Sequence, residues 1–267
     1  MIFGAVVGDI IGSTYEFDNI KTKDFDLISE RCKFTDDSVM TVAISHALCE
    51  CKTNGIMDEE NFEKAVIESM QNFGRRYPKA GYGGMFFGWV FSENPKPYNS
   101  FGNGSAMRVS PVAWAFDDLE TVEKFAEISA RVSHNHPEGI KGAQATAAAI
   151  FMARIGKSKA EIKNYIENKY HYNLDRTCDE IRPDYKHIET CQKTVPEAIT
   201  AFLEGENFED AVRTAVSLGG DCDTLTDITA SIAQGMWEIP DEIEKKIRLK
   251  LDDYLLLEID KFFEIFL

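Results

Sequence analysis

The chain has no Cys-x-x-Cys pair, and its six cysteines (Cys32, Cys49, Cys51, Cys178, Cys191 and Cys222) do not fall at zinc-ribbon spacing. A zinc module and a disulfide-stapled secreted scaffold are thereby disfavoured, and reduced thiols are the simplest reading. Basic residues are also in short supply. Lys and Arg number 29 against 45 Asp and Glu, a formal net charge of −16, so an anionic membrane surface or a nucleic-acid backbone would repel the chain at long range. No apolar run is long enough to span a bilayer. The longest near the start, Ile2 to Gly8, lacks a basic leader and runs straight into Asp9, which fits neither a signal peptide nor a membrane helix. A cytoplasmic protein is expected, with no membrane or nucleic-acid partner and with a monomer as the simplest state. Alternating strand patterns, internal repeats and low-complexity tracts are scarce or missing too.

What is present is helical periodicity. Gly4, Gly8 and Gly12 form a bare stripe on an opening helix, suited to close packing against another helix; no Gly-Lys-Ser/Thr follows that would make it a phosphate loop. Helices are expected over Val39–Leu48, Asn61–Arg76, Leu119–Val132, Pro137–Ile155 and Phe208–Leu218, and another from Pro196 to about Gly205, where a proline suits a first helical position. A further helix is expected to start near Asp221 or Asp223, with Leu225, Ile228, Ile232 and Met236 on one face. The glycine- and aromatic-rich stretch Tyr77–Ser110 reads as an ordered loop or a set of short turns, since Pro95 and Pro97 forbid a continuous helix. Asn164–Thr194 carries the weakest signal, and Pro240–Leu267 reads as one or two amphipathic helices. One all-α domain of many short helices, spanning residues 1–267, is the expected architecture.

Two acidic clusters stand out against this background: Thr35-Asp36-Asp37, and Asp221-Cys222-Asp223-Thr224. Each sets a hydroxyl beside two carboxylates, a ligand set for hard cations such as Mg²⁺, Mn²⁺ or Ca²⁺ rather than for zinc or copper. The ordinary alternative is helix capping, in which Thr35 caps the helix that follows it and the acids sit at the positive dipole end. Capping accounts for one acceptor at each helix start. It leaves the second acid of each pair unexplained and does not predict two matching clusters.

The run from Gly4 to Gly12, Glu16-Phe17, Phe34-Thr35-Asp36-Asp37-Ser38, Gly102-Asn103-Gly104-Ser105-Ala106-Met107-Arg108 and Gly219-Gly220-Asp221-Cys222-Asp223-Thr224 together resemble, in order and spacing, the ADP-ribosylglycohydrolase family. That family includes the hydrolase that reactivates ADP-ribosylated dinitrogenase reductase and the ADP-ribosylarginine and ADP-ribosylserine hydrolases. The resemblance spans nearly the whole chain and implies a compact all-α domain with a two-metal centre. It implies that Thr35, Asp36, Asp37, Asp221, Asp223 and Thr224 ligate two divalent cations, Mg²⁺ or Mn²⁺. A metal-activated water would then attack the anomeric carbon of the distal ribose, releasing ADP-ribose from a modified protein or small molecule.

The resemblance further implies catalytic roles for Asp36, Asp223 and Glu16. Glu16 would stabilise an oxocarbenium-like state or move a proton, although from the residues alone it reads as a surface acid. Gly102, Asn103, Gly104 and Ser105 offer consecutive backbone amides for a diphosphate, where the bare sequence also allows a plain turn. Met107 and His134 join the implied substrate contacts; Arg108 is expected to meet either phosphate or a carboxylate. Cys222 should point away from the ions, and Asp227 reads as an outer-sphere ligand or a solvated acid. Where some relatives carry an acid just ahead of the glycine loop, this chain has Tyr98-Asn99-Ser100-Phe101, which tells against an arginine linkage. Two rivals stand beside this reading. One is a non-catalytic or crystallin-like protein on the same fold; the other is a phosphatase using Asp221-Cys222-Asp223 after a buried strand.

Overall fold

A computed structural model describes residues 2–266; Met1 and Leu267, the ends of the expected domain and of the expected C-terminal helix, lie outside the described residues. Fifteen helices follow one another: α1 Phe3–Gly12, α2 Asp36–Thr53, α3 Glu59–Arg76, α4 Gly84–Phe91, α5 Gly104–Met107, α6 Ser110–Ala115, α7 Leu119–Arg131, α8 Pro137–Arg154, α9 Lys159–Tyr170, α10 Cys178–Ile181, α11 Cys191–Glu204, α12 Phe208–Leu218, α13 Cys222–Met236, α14 Asp241–Arg248 and α15 Asp253–Phe266. No strand occurs among the described residues. A single antiparallel pairing links Gly102 to Thr190. The all-α expectation holds, and with it goes the strand that a phosphatase reading of Asp221 requires: a helix and a Gly-Gly turn precede that residue instead.

The central element is α13, which packs against α1, α8, α11 and α12 and is buried on every face from Cys222 to Ala233. The alanine-rich α8 lies beside it and is also buried almost all round. Helices with this little polar face are interior elements, and the amphipathic α3, α7, α12 and α14 wrap outside them. The glycine stripe of α1 lies directly on α13. A Cβ at Gly4 would sit 2.5 Å from the Ala230 carbonyl oxygen, at Gly8 2.3 Å from that of Thr226, and at Gly12 2.5 Å from that of Cys222. Only hydrogen side chains allow the two backbones this approach, so the packing role expected for the stripe is the one found.

Three local expectations need correction. Within Tyr77–Ser110, residues Gly84–Phe91 form a full helix; its nearly continuous apolar composition hides any periodicity, and its two glycines read as breakers. The helix expected from Pro196 starts earlier, at Cys191, and holds Pro196 in its interior. Its early start is anchored by the Cys191 amide, which donates to the Phe101 carbonyl at 3.0 Å. The polar stretch Asn164–Thr194 contains the end of α9 and the short α10, both opened by capping boxes, Ser158 with Glu161 and Thr177 with Glu180. The C-terminal tail resolves into two helices, α14 and α15.

Candidate active site

The N-termini of α2 and α13 converge at one end of a cavity of about 730 Å³, within the range of small-molecule sites. At the head of α2, Thr35 is in extended conformation and its Oγ1 accepts from the Asp37 amide at 3.3 Å, so the capping expectation is met. The same hydroxyl donates to Asp9 Oδ1 at 2.6 Å. Asp9, from the middle of α1, also accepts from the Thr35 and Ser38 amides at 2.9 and 3.0 Å and from the Ser38 hydroxyl. This fully buried carboxylate therefore caps a helix from outside it, and it fixes where Asp36 and Asp37 stand. Sequence reasoning passed over Asp9. Its signal was there: it is the single acid in an otherwise apolar ten-residue helix.

At the head of α13 the capping expectation fails, because Asp221 makes no cap hydrogen bond. Its Oδ2 instead accepts from Asn103 Nδ2 at 2.6 Å, which ties the acidic end to the glycine loop. The turn that delivers Asp221 uses Gly219 and Gly220, both with positive φ of 70° and 79°, and Asn19 clamps it by accepting from the Gly220 amide at 2.7 Å. Asp223 Oδ1 accepts from the Thr224 amide.

Carboxylate oxygens of Asp9, Asp37 and Asp223 lie within 4.8 Å of one another, and so do those of Glu16, Asp221 and Asp223. Asp223 belongs to both groups. Asp36 is half-buried beside them on the cavity wall, close under Gly81, and Thr224 lines the same wall. No Lys or Arg side chain faces these acids from the cavity lining, where the one guanidinium is Arg108 at the other end. Burial and the charges of neighbouring acids push the Asp37 and Asp223 carboxyls well above the usual carboxylate range. Burial, then Asp9, raises Asp36 to about 8. Burial, then Asp221, raises Glu16. Asp37 Oδ1 is buried without a hydrogen-bond partner. An all-oxygen set with surplus negative charge and an unpartnered buried oxygen suits a hard cation.

The sign of this arrangement is testable. Carboxyls with raised pKa hold protons in the folded chain that the unfolded chain releases, so their contribution favours folding most below about pH 4 and is lost as pH climbs toward the Asp36 value of about 8. Chelator-treated protein is therefore expected to melt at least about 5 °C lower at pH 8 than at pH 5.5, with Mg²⁺ or Mn²⁺ restoring the difference at pH 8 but adding little at pH 5.5. Differential scanning calorimetry at both pH values reads this directly.

The opposite end of the cavity is formed by Gly102, Asn103, Gly104, Met107, Arg108 and His134, with Tyr98 and Phe101 beside them. The glycine loop differs from its expected form. The amides of Gly102 and Asn103 are used within the protein, donating to Ser100 Oγ at 3.1 Å and to the Glu189 carbonyl at 3.0 Å. The amides of Gly104 and Ser105, at the start of α5, make no hydrogen bond among the described residues and are the ones left for a ligand. The Ser105 hydroxyl turns inward to the Gly139 carbonyl, 2.7 Å away.

Arg108 pairs with no carboxylate among the described residues. It is 1% exposed and donates to the Gly104 and Ser129 carbonyls and to Ser133 Oγ, with burial lowering its pKa to about 10. Ser133 Oγ accepts from Arg108 and lies 2.8 Å from His134 Nδ1. Burial, then the Arg108 charge, holds His134 neutral. Its Nε2 faces Gly102 and Gly104.

Cys222 Sγ lies against the Val216 carbonyl and Thr226 Oγ1, outside the cavity lining, and its thiol is held above the usual range by burial. The solvated reading of Asp227 is overturned: it is fully buried, and neither carboxylate oxygen has a partner. No helix among the described residues is long and apolar enough to cross a membrane.

Comparison with known proteins agrees with this geometry. The chain is similar to human ADP-ribosylhydrolase ARH3, at 26% identity over 89% of this chain and 85% of that one. It is similar to the ADP-ribosylarginine hydrolase Tri1 of Pseudomonas putida at 23% identity, covering 91% of this chain and 72% of that one. Among solved structures, a chain titled as an ADP-ribosylglycohydrolase-related protein complex superposes with a TM-score of 0.72 at 20% identity, over all of this chain and 96% of that one, which speaks for the fold. A family model described as ADP-ribosylglycohydrolase matches residues 1–261. The chain thus belongs to the ADP-ribosylglycohydrolase family, a family of glycosyl-bond hydrolases.

Proposed function

We propose that this enzyme is a metal-dependent hydrolase that cleaves the glycosidic bond between ADP-ribose and an acceptor, a protein side chain or a small molecule. The observation that carries the reading is the meeting of Asp37 and Asp223, from two different helix starts, in overlapping acid groups that no Lys or Arg side chain among the described residues pairs with, beside a buried Asp37 oxygen without a hydrogen-bond partner. Thr35, Asp36, Asp37, Asp221, Asp223 and Thr224 would hold two divalent cations, Mg²⁺ or Mn²⁺. Thr35 Oγ1 donates to Asp9 and accepts from the Asp37 amide, so it stands in the bonded head of α2 that presents Asp36 and Asp37. When bound, such ions supply positive charge that acidifies a water and holds ribose hydroxyls.

The chain's own groups do the rest. Asp9 keeps the head of α2 in place, and Asn103 keeps Asp221 in place. The Gly104 and Ser105 amides offer donors, and His134 a neutral polar edge at Nε2, to a diphosphate without adding a mobile charge. Glu16 is half-buried beside Asp221 and Asp223, and burial, then Asp221, raises its pKa above the usual carboxylate range, the direction that favours its acting as a proton donor. As a carboxylate it also steadies positive charge that develops on the ribose ring as the bond to the leaving group lengthens.

The test is release of ADP-ribose from modified acceptors, assayed with Mg²⁺ or Mn²⁺ and again in chelator, with p-nitrophenyl phosphate as a control for phosphatase activity. Release that requires the cation, with the phosphate ester untouched, is the expected result. Glu16→Gln is expected to lower kcat about 100-fold while ADP-ribose affinity changes little. Cation-independent binding of ADP-ribose with no turnover would instead favour the non-catalytic binding protein.

A further inference from the structure

Of the proposed catalytic groups Glu16, Asp36 and Asp223, Glu16 alone is carried by no helix. It lies in the bend after α1, and from residue 16 to residue 28 no backbone amide donates to a backbone carbonyl among the described residues. Something other than secondary structure must hold it beside Asp221 and Asp223, whose carboxylate oxygens lie within 4.8 Å of its own. The side chain of Asn19 does so. Its Oδ1 accepts from the Gly220 amide at 2.7 Å and its Nδ2 donates to the Gly220 carbonyl at 3.1 Å, so it takes both main-chain groups of the residue before Asp221. The same Nδ2 donates to the Tyr15 carbonyl at 2.6 Å and to the Glu16 carbonyl at 3.1 Å. One planar amide thus joins the backbone on which Glu16 stands to the turn that delivers Asp221. The fit is close, since a Cβ at Gly219 would sit 2.8 Å from Asn19 Oδ1. Two residues on, Lys21 Nζ donates to the Leu218 carbonyl at 2.5 Å and the Tyr185 carbonyl at 2.8 Å, and the Tyr185 ring packs against Gly220.

Resting on the hydrolase reading above, we propose that Asn19 is a positioning residue: with Lys21 it fastens the Glu16 segment to the Gly219-Gly220 turn, so that the proton-moving acid and Asp221 are held as one unit. The chemistry of the place calls for asparagine. The turn and the Glu16 segment together present one amide that takes an acceptor and three carbonyls that take a donor, and Asn carries both functions at one end, whereas Asp would set carboxylate oxygens against carbonyl oxygens. These bonds are partly buried, where leaving a group unpaired costs more than pairing it gains. Asn19 bonds to main chain only and is not part of the cavity lining, so it acts on the reaction through Glu16 and not on the substrate.

A double-mutant cycle tests this, with the full-length enzyme at saturating Mn²⁺ and an ADP-ribosylated peptide that the wild type cleaves. Asn19→Ala is expected to lower kcat about 20-fold while KM changes less than about 2-fold, since misplacing a reacting group by ~1 Å costs up to about 10²-fold in rate. Combined with Glu16→Gln, which removes the group being positioned, the same substitution should lower kcat by no more than about 3-fold further. Lys21→Met, which keeps the stem and loses the bonds to Leu218 and Tyr185, is the milder second variant and decides the matter where Asn19→Ala does not fold. It is expected to cost about 5-fold in kcat alone and less than about 2-fold beside Glu16→Gln. A loss of equal size in both backgrounds, or one that falls on KM with kcat unchanged, would mark a merely structural role and overturn the proposal while the hydrolase reading stands. Absence of cation-dependent release by the wild type would overturn both.

Discussion

Asp223→Ala is expected to abolish ADP-ribose release, lowering kcat/KM by a factor of ~10³ or more, while raising the melting temperature of the chelator-treated protein. The two effects have one cause. Asp223 is the carboxylate shared by both acid groups, so its loss takes a ligand from each and removes the charge that holds them around a common centre. Losing one preorganised charge at a reacting centre costs about 10² to 10³ in rate, and here it serves two places at once. In the cation-free protein the same residue is a liability. It is 4% exposed, and its pKa is raised by burial and then by Asp221, Glu16 and Asp9, so its ionised form is repelled in the fold. Removing it relieves that repulsion at pH 8. The signature is therefore a crossing pattern: the variant melts above the wild type in chelator and below it in saturating Mg²⁺ or Mn²⁺. A role confined to capping α13 would lower the melting temperature under both conditions.

Gly8→Ala should produce the largest structural effect of any small substitution in the chain. The new Cβ would lie 2.3 Å from the Thr226 carbonyl oxygen and 2.6 Å from the Asp227 Cα, both backbone positions of the central helix α13. Backbone cannot swing aside as a side chain would, so α1 and α13 must separate. A cost of about 3 kcal/mol is expected, near the upper range for overpacking, which for a chain of this size corresponds to a melting temperature lower by roughly 6 to 12 °C. Function should fall beyond the loss of stability. Asp9 immediately follows Gly8 on α1 and holds the head of α2, while Asp223 rides on α13, so parting these helices pulls one acid group open. Cation affinity measured by titration calorimetry at 15 °C, where the variant remains folded, is expected to drop at least about 10-fold. Gly88→Ala, on an exposed position of α4 with open space around it, serves as the control: it should leave cation affinity unchanged and raise the melting temperature slightly, since alanine is the better helix former.

These two cases also mark what could be read from the chain before its fold was known. The stripe of Gly4, Gly8 and Gly12 announced a close helix contact, because period-four glycine on an apolar helix has few other uses, but its partner could not be named from spacing alone. Helices with clear amphipathic periodicity, such as α7 and α12, were legible to within a residue or so; Phe208–Leu218 matches at both ends. Those without a polar face to contrast with an apolar one, such as Gly84–Phe91, were not legible. Pro196 misled for a different reason. Its preference for a first helical position is local, and it was outweighed by five preceding residues held in place by tertiary contacts, among them the Cys191 amide bonded to Phe101.

The candidate site divides along the same line. Thr35, Asp36, Asp37, Asp221, Asp223 and Thr224 were marked by their clustering in sequence, and the fold gathers the four acids and Thr224 on the wall of one cavity, with Thr35 bonded to Asp37 behind it. Glu189 was invisible because it matters only through Asn103, distant in sequence, and Asp9, although marked as the one acid of an apolar helix, shows its role only through Thr35 and Ser38. The glycine loop lay in between. Its position was legible, but which of its amides stay unused depended on Ser100 and Glu189, and those contacts are tertiary.

The central claim is that acids at the heads of α2 and α13 hold the divalent cations on which ADP-ribose release depends. Its most direct test is a titration of chelator-stripped protein with Mn²⁺, in which bound metal per chain and ADP-ribose release are measured in the same samples. Release that rises with occupancy and saturates at two Mn²⁺ per chain is the expected result. Undiminished release by stripped protein in excess chelator would contradict it.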